Sequence, residues 1–187
     1  MNKILCFGDS ITNGARDEYH RNYPLELSRI ILEKKNKYYV CLNYGVNGET
    51  TSQMANRAYQ VLKPHDDAKF ILFMGGTNDT KIPIPEDIYQ NNIESIIRLS
   101  KELEVEICLG LLPPIYGPGL PCYAQEAGNK AIGRYNAIVK ALFRKYRLKH
   151  CDFSDLPNHL YSDGIHLNHR GYSLIAERWF ATLEEHL

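Results

Sequence analysis

Ile4-Leu5-Cys6-Phe7-Gly8-Asp9-Ser10-Ile11-Thr12-Asn13-Gly14 joins an apolar run to a polar turn bounded by glycines. The run is too short for a helix and does not alternate between apolar and polar residues. That is the pattern of a strand covered on both faces. Similar runs recur at 38–42, 69–74, 105–112 and, more weakly, 150–153. Helical stretches fill the intervals. Segment 24–35 opens on Pro24 in a first turn, and 51–63 follows a Thr/Ser cluster able to cap it. Segment 86–103 sets Ile93, Ile96, Ile97 and Leu103 on one stripe, and 129–146 does the same with Ile132, Tyr135, Val139, Leu142, Phe143 and Tyr146. Segment 168–187 opens on Asn168 as N-cap and buries Tyr172, Ile175, Trp179 and Leu183. Strand and helix alternating five times predict an α/β fold, a parallel sheet with helices on both faces. No repeat or linker interrupts the pattern, so residues 1–187 read as one domain. The one long irregular stretch, 113–128, follows the fourth strand and overhangs the carboxyl edge of the sheet, where open parallel sheets bind ligands.

The length of 187 residues agrees with one domain, at about 150 residues per domain. Lys plus Arg and Asp plus Glu each total 22, so the formal charge is zero. A neutral chain argues against nucleic acid and against an acidic membrane surface as partner. A hydrophobic share of 44% argues against disorder. Five cysteines, four of them (Cys6, Cys41, Cys108, Cys151) in or beside apolar runs, read as buried thiols in a reducing compartment, not as a disulfide framework. No spacing suggests a zinc site, and no apolar run spans a bilayer. The first residues lack the apolar core of a signal peptide, so the expected location is cytoplasmic.

Four polar clusters fall at the carboxyl edge. Ser10 stands at a strand-to-helix turn, where a hydroxyl beside backbone N–H groups suits a nucleophile; taken alone, the short Gly-Asp-Ser motif favours a polar turn or an N-cap. His166 could take the Ser10 proton, with Asp163 three residues earlier folding back across Gly164 onto the imidazole. A surface histidine beside an Asp-Gly turn is the alternative. Gly48 and Asn78 could join the Ser10 N–H as donors to an oxyanion. A turn glycine with positive φ and an Asn-Asp turn are the alternatives. Asp9 and Asp79 read as turn-shaping carboxylates, Arg57 as a solvated charge in preference to one that faces the rim, and Met54 as core. Tyr44, Tyr116 and Tyr123 sit in loops that could line a substrate pocket.

Together these clusters resemble the SGNH hydrolases, the GDSL-type esterases and lipases. Gly8-Asp9-Ser10 followed by Ile11 matches the first motif, with Ile where the nickname has Leu. Gly45-Val46-Asn47-Gly48 matches the second, Gly76-Thr77-Asn78-Asp79 the third, and Asp163 with His166 the last. The resemblance runs from residue 4 to about residue 180. It implies a flavodoxin-like three-layer α/β/α fold with a five-stranded parallel sheet. It also implies ester hydrolysis by Ser10, His166 and Asp163, with Ser10, Gly48 and Asn78 as the oxyanion hole and no metal or organic cofactor.

A short rim loop without a lid helix points to short acyl groups, acetyl to butyryl. A carbohydrate O-acetyl ester, a lysophospholipid or a thioester remains open. Three other classes compete. A flavin or phosphate binder would use the Ser10–Gly14 turn but leaves Asn78, Asp163 and His166 unexplained. A metal-dependent phosphatase would use Asp9, Asp79 and Asp163. A non-catalytic relative would bind a ligand without cleaving it. The expected partner is a small-molecule ester, without nucleic acid or membrane insertion.

Overall fold

A computed structural model describes residues 2–81, 83–117 and 125–187. Five strands, β1 (Asn2–Gly8), β2 (Tyr39–Gly45), β3 (Phe70–Met74), β4 (Glu106–Gly110) and β5 (Lys149–Cys151), form one parallel sheet in the order β2-β1-β3-β4-β5. The chain steps outward from β1 to β2, then returns across β1 to β3. Two strands that leave a sheet in opposite directions open a crevice at their carboxyl ends, here between β1 and β3.

The helices are α1 (Ser10–Asn13), α2 (Tyr23–Lys35), α3 (Thr51–Leu62), α4 (Glu86–Glu102), α5 (Gln125–Tyr146) and α6 (His169–Leu183). Helix α2 packs on α6 over one face; α3, α4 and α5 pack side by side over the other. This arrangement follows from right-handed crossovers, which place the connection after β1 and those after β2, β3 and β4 on opposite faces. The three-layer α/β/α reading therefore holds, with all five strands near their expected positions.

Both faces being covered explains the strand composition. Ile4, Leu5, Cys6 and Phe7 of β1 are fully buried, as are Phe70, Ile71 and Leu72 of β3. Local sequence sets the helix starts. Asn22 caps α2 by accepting from Leu25 N at 2.9 Å. Thr50 and Gln53 form a reciprocal capping box on α3. Asn168 caps α6 through the N–H groups of Arg170 and Gly171. Helix α5 includes Gln125 to Gly128, ahead of the apolar stripe that predicts it from residue 129, and this turn is tied to the segment after β4 by its side chains. Gln125 accepts from Gly117 N at 2.6 Å, and Asn129 pairs with both the N–H and the carbonyl of Ile115 at 2.8 and 2.7 Å.

The cysteines Cys6, Cys41, Cys108 and Cys151 are buried and unbridged. Burial pushes the Cys108 thiol up to about 12 and that of Cys151 to about 11, which keeps both protonated and unreactive. Among the described residues, no helix is long and apolar enough to cross a membrane.

Trp179 is fully buried on α6 and meets the Phe153 ring edge-on at 5.4 Å. Its replacement by Ala should cost about 3–5 kcal/mol, since neighbours on a sheet cannot collapse into so large a void. A lower urea midpoint with an unchanged slope would register that loss; an unchanged midpoint would contradict the packing role.

Candidate active site

The site is built where β1, β2, β3 and the loop before α6 end. At the end of β1 the chain turns through Asp9, whose carboxylate accepts the Ile11 N–H at 2.9 Å and so caps α1. Ser10 opens that helix and is only 6% exposed. Its carbonyl accepts from Gly14 N and Ala15 N, which closes the turn tightly behind the hydroxyl.

The loop before α6 is pinned at its base by a Tyr161–Leu167 bridge. Within it, Asp163 Oδ1 accepts the N–H groups of Ile165 and His166 at 3.0 and 2.8 Å, and Oδ2 meets His166 Nδ1 at 2.7 Å. Burial pushes the Asp163 carboxyl up, but these N–H groups and the imidazole outweigh it and hold the group below its ordinary value. The opposite ring nitrogen, His166 Nε2, lies 2.9 Å from Ser10 Oγ. The sequence separation of 156 residues is thus reduced to one hydrogen bond. A hydroxyl, an imidazole and a carboxylate in that order form a relay in which the ring can take the hydroxyl proton while the carboxylate fixes its tautomer.

Gly164 makes the loop possible. It has φ +83, and a Cβ there would lie 1.7 Å from the Tyr116 carbonyl oxygen. The Gly164 carbonyl in turn accepts Tyr116 N at 2.7 Å. Tyr116 is itself anchored by its hydroxyl on Leu156 O, and Asn136 of α5 holds both backbone groups of Leu112 at 2.7 and 3.0 Å. The segment after β4 therefore serves as a rest for the His166 loop.

On the opposite wall, Gly48 has φ +81 and open space where a Cβ would be. Asn78 follows β3, and its Nδ2 donates to Glu49 O at 2.9 Å. Asp79 holds the first residue of α3, accepting Thr51 N at 2.9 Å and the Thr51 hydroxyl at 2.6 Å. Ser10, Gly48, Asn78 and His166 share one cavity of about 470 Å3, with Ala15, Arg16, Asn47 and Lys81 completing its wall. All five candidate site residues are therefore within one structure, four on the cavity and Asp163 behind His166.

Three sequence expectations are corrected. Arg57 is not a solvated charge. Its side chain is 18% exposed and lies 4.5 Å from the centre of the Phe7 ring. Its Nε contacts both carboxylate oxygens of Glu49 at 2.8 and 2.7 Å, and its terminal nitrogen donates to the carbonyls of Tyr44 at 2.8 Å and Gly8 at 3.3 Å. It thus ties the Gly48 loop to the end of β1. A helix position gives no hint of this, because the partners are two carbonyls and an acid on other elements. Tyr44 does not line the cavity; its hydroxyl meets His65 Nε2. Tyr116 lines a shallower pocket behind Asp163. Tyr123 lies outside the described residues.

The carboxylates that a metal-dependent reading would use are engaged elsewhere: Asp9 on Ile11, Asp79 on Thr51, Asp163 on the His166 loop. Among the described residues, no group of three or more His, Cys, Asp or Glu side chains is placed to share a metal ion.

A three-layer α/β/α fold with this polar constellation at its crevice is that of an ester-hydrolysing enzyme. The sequence profile of the GDSL-like lipase/acylhydrolase family matches residues 6–174, and the chain belongs to that family. Solved structures agree on the fold. A lipase/acylhydrolase from Enterococcus faecalis superposes with a TM-score of 0.84 at 22% identity, covering 99% of this chain and 96% of that one. An acetyl xylan esterase from Geobacillus stearothermophilus gives 0.81 at 18%, covering 97% and 94%. A GDSL-like lipase from Bacteroides thetaiotaomicron gives 0.75 at 19%, covering 100% and 89%. A search of curated proteins found no match.

Asp9 yields a test of the site's electrostatics. Burial pushes its carboxyl from 3.8 up to about 7; the Ile11 N–H opposes the rise and the neighbouring Asp79 and Glu49 charges add to it. A raised acid holds its proton in the folded chain after the unfolded chain has released it. Its stabilising contribution is whole below its unfolded value and is lost as pH rises through about 7. Asp9→Asn keeps an acceptor for Ile11 without the titration. Its stability relative to wild type should therefore rise between about pH 4 and about pH 8. Urea curves at both pH values measure this, and a constant difference would show that Asp9 does not titrate in that window.

Proposed function

We propose that this chain is a serine esterase that cleaves carboxylic esters of short acyl groups, acetyl to butyryl, with Ser10, His166 and Asp163 as its triad. The observation that carries the reading is the unbroken hydrogen-bonded relay from Asp163 through His166 to Ser10, opening into a cavity. In the first step Ser10 Oγ attacks the ester carbonyl while His166 Nε2 takes its proton. Asp163 stabilises the imidazolium through the Nδ1 proton. Charge collects on the former carbonyl oxygen, and the N–H groups of Ser10 and Gly48 with the Asn78 amide are its donors. The bond that Asn78 Nδ2 donates to Glu49 O orients that amide. The imidazolium then protonates the departing alcohol. Water, deprotonated by the same ring, releases the acyl group and restores Ser10. Protein groups alone carry every step.

The preference for short acyl groups rests on the cavity wall. Ala15 contributes its one apolar side chain among the described residues. An alkyl chain of lipid length would find little apolar surface to cover it among the described residues, where burial is worth roughly 0.8 kcal/mol per methylene. A sugar O-acetyl ester fits the same polar wall.

Ser10→Ala should lower hydrolysis of p-nitrophenyl acetate and butyrate by at least about 10⁴-fold. Its unfolding free energy should stay within about 1 kcal/mol of wild type. Equal activity in the folded variant would remove Ser10 from the chemistry. Asn78→Ala should reduce kcat by about 10²–10³, the usual loss of one oxyanion donor. Across acyl lengths, a rate maximum at acetyl to butyryl is expected; a maximum at ten carbons or more would overturn the short-acyl assignment.

A further inference from the structure

The cavity over Ser10 has two cations in its wall, Arg16 and Lys81, and no acidic residue among those described. The chain as a whole has zero formal charge, so this imbalance is local. Of the acids in adjoining loops, Glu49 is engaged by Arg57 and Asp163 by the His166 loop, while Asp9, Asp17 and Asp79 turn their carboxylates onto the backbone N–H groups of Ile11, of Tyr19 and Arg21, and of Thr51. Residues 1, 82 and 118–124 include no Asp or Glu that could offset the charge.

Arg16 is held by its neighbours on both sides. Ala15 N donates to Ser10 O at 3.0 Å, and the Tyr172 hydroxyl of α6 donates to Ala15 O at 2.9 Å. On the other side, buried Asp17 accepts the N–H groups of Tyr19 and Arg21 at 3.1 and 2.8 Å. Between these anchors Arg16 has φ +66. A long side chain in the left-handed region costs on the order of 1–2 kcal/mol, so its surroundings must impose it. The Arg16 side chain is exposed on the cavity wall and has no ion pair among the described residues.

We propose that the enzyme's substrates are esters that carry a negatively charged group, a carboxylate, phosphate or sulfate, which Arg16 and Lys81 receive while Ser10 attacks the ester carbonyl. The proposal rests on the ester-hydrolase reading above and narrows its substrate class. A guanidinium matches a carboxylate or phosphate with two parallel hydrogen bonds, and an ammonium on the same cavity's wall adds a point charge. The reacting bonds are unchanged: the anion is a handle and takes no part in acyl transfer. Both cations contact solvent, so added salt weakens the attraction.

The test compares 4-acetoxybenzoate with its neutral methyl ester on wild type, Arg16→Asn and Lys81→Gln. Asparagine tolerates the left-handed backbone, so Arg16→Asn removes charge without adding strain. Each variant should lower kcat/KM for the anionic ester by about tenfold, mainly through KM, and change the neutral ester by less than about twofold. Added salt should reduce the wild-type rate on the anion and leave that on the neutral ester nearly constant. Equal losses on both esters, or no loss on either, would overturn the charge reading and leave ester hydrolysis standing. A folded wild type inert toward both would overturn both readings.

Discussion

Strand β1 runs between β2 and β3 and is covered on both faces, so its residues from Ile4 to Phe7 meet no water. A strand so placed can present polar groups only where it ends. That constraint puts Asp9 and Ser10 at the crevice and makes the turn between them bear a double demand. The chain must reverse into α1 within one residue, and the N–H groups freed by the turn must be satisfied out of water. The Asp9 carboxylate meets the second demand, which is why an acid is buried beside the nucleophile candidate at the cost of a carboxyl pushed up to about 7.

The other loops of the site are then braced against this turn. Arg57 reaches from α3 to the carbonyls at the ends of β1 and β2 and grips Glu49, whose own carbonyl orients Asn78. From the far side, α5 holds the segment after β4 through Asn136 and Asn129, and that segment supports Gly164 through Tyr116. The relay is thus clamped between two scaffolds carried by α3 and α5, separate helices of the layer that covers one face of the sheet. Precise placement of reacting groups depends on such support, since a hydroxyl and an imidazole held loosely do not exchange a proton efficiently.

Charge is distributed with the same economy. The acids near the site are tied to backbone N–H groups or to Arg57, while Arg16 and Lys81 stand on the cavity wall. Two cations thus line the recess over Ser10, at the crevice where the strand order of the sheet reverses.

Much of this was legible from residue order. Doubly buried strands carry unbroken apolar runs, and helices between them show their stripes, so the alternation and the parallel sheet follow from local patterns. The polar motifs around Ser10, Gly48, Asn78 and His166 were visible for the same reason: each is a short block of turn chemistry with its own periodic surroundings. The supports were not legible. Arg57 looks like any helical arginine until Gly8 O and Tyr44 O arrive beside it, and Asn129 and Asn136 look like polar residues on a helix face until the backbone of Leu112 and Ile115 passes over them. Local order decided which segments would form and which groups each would offer. Only tertiary structure decided that a hydroxyl and an imidazole 156 residues apart would meet at 2.9 Å, because that distance is set by the packing of separate layers and not by anything within either segment.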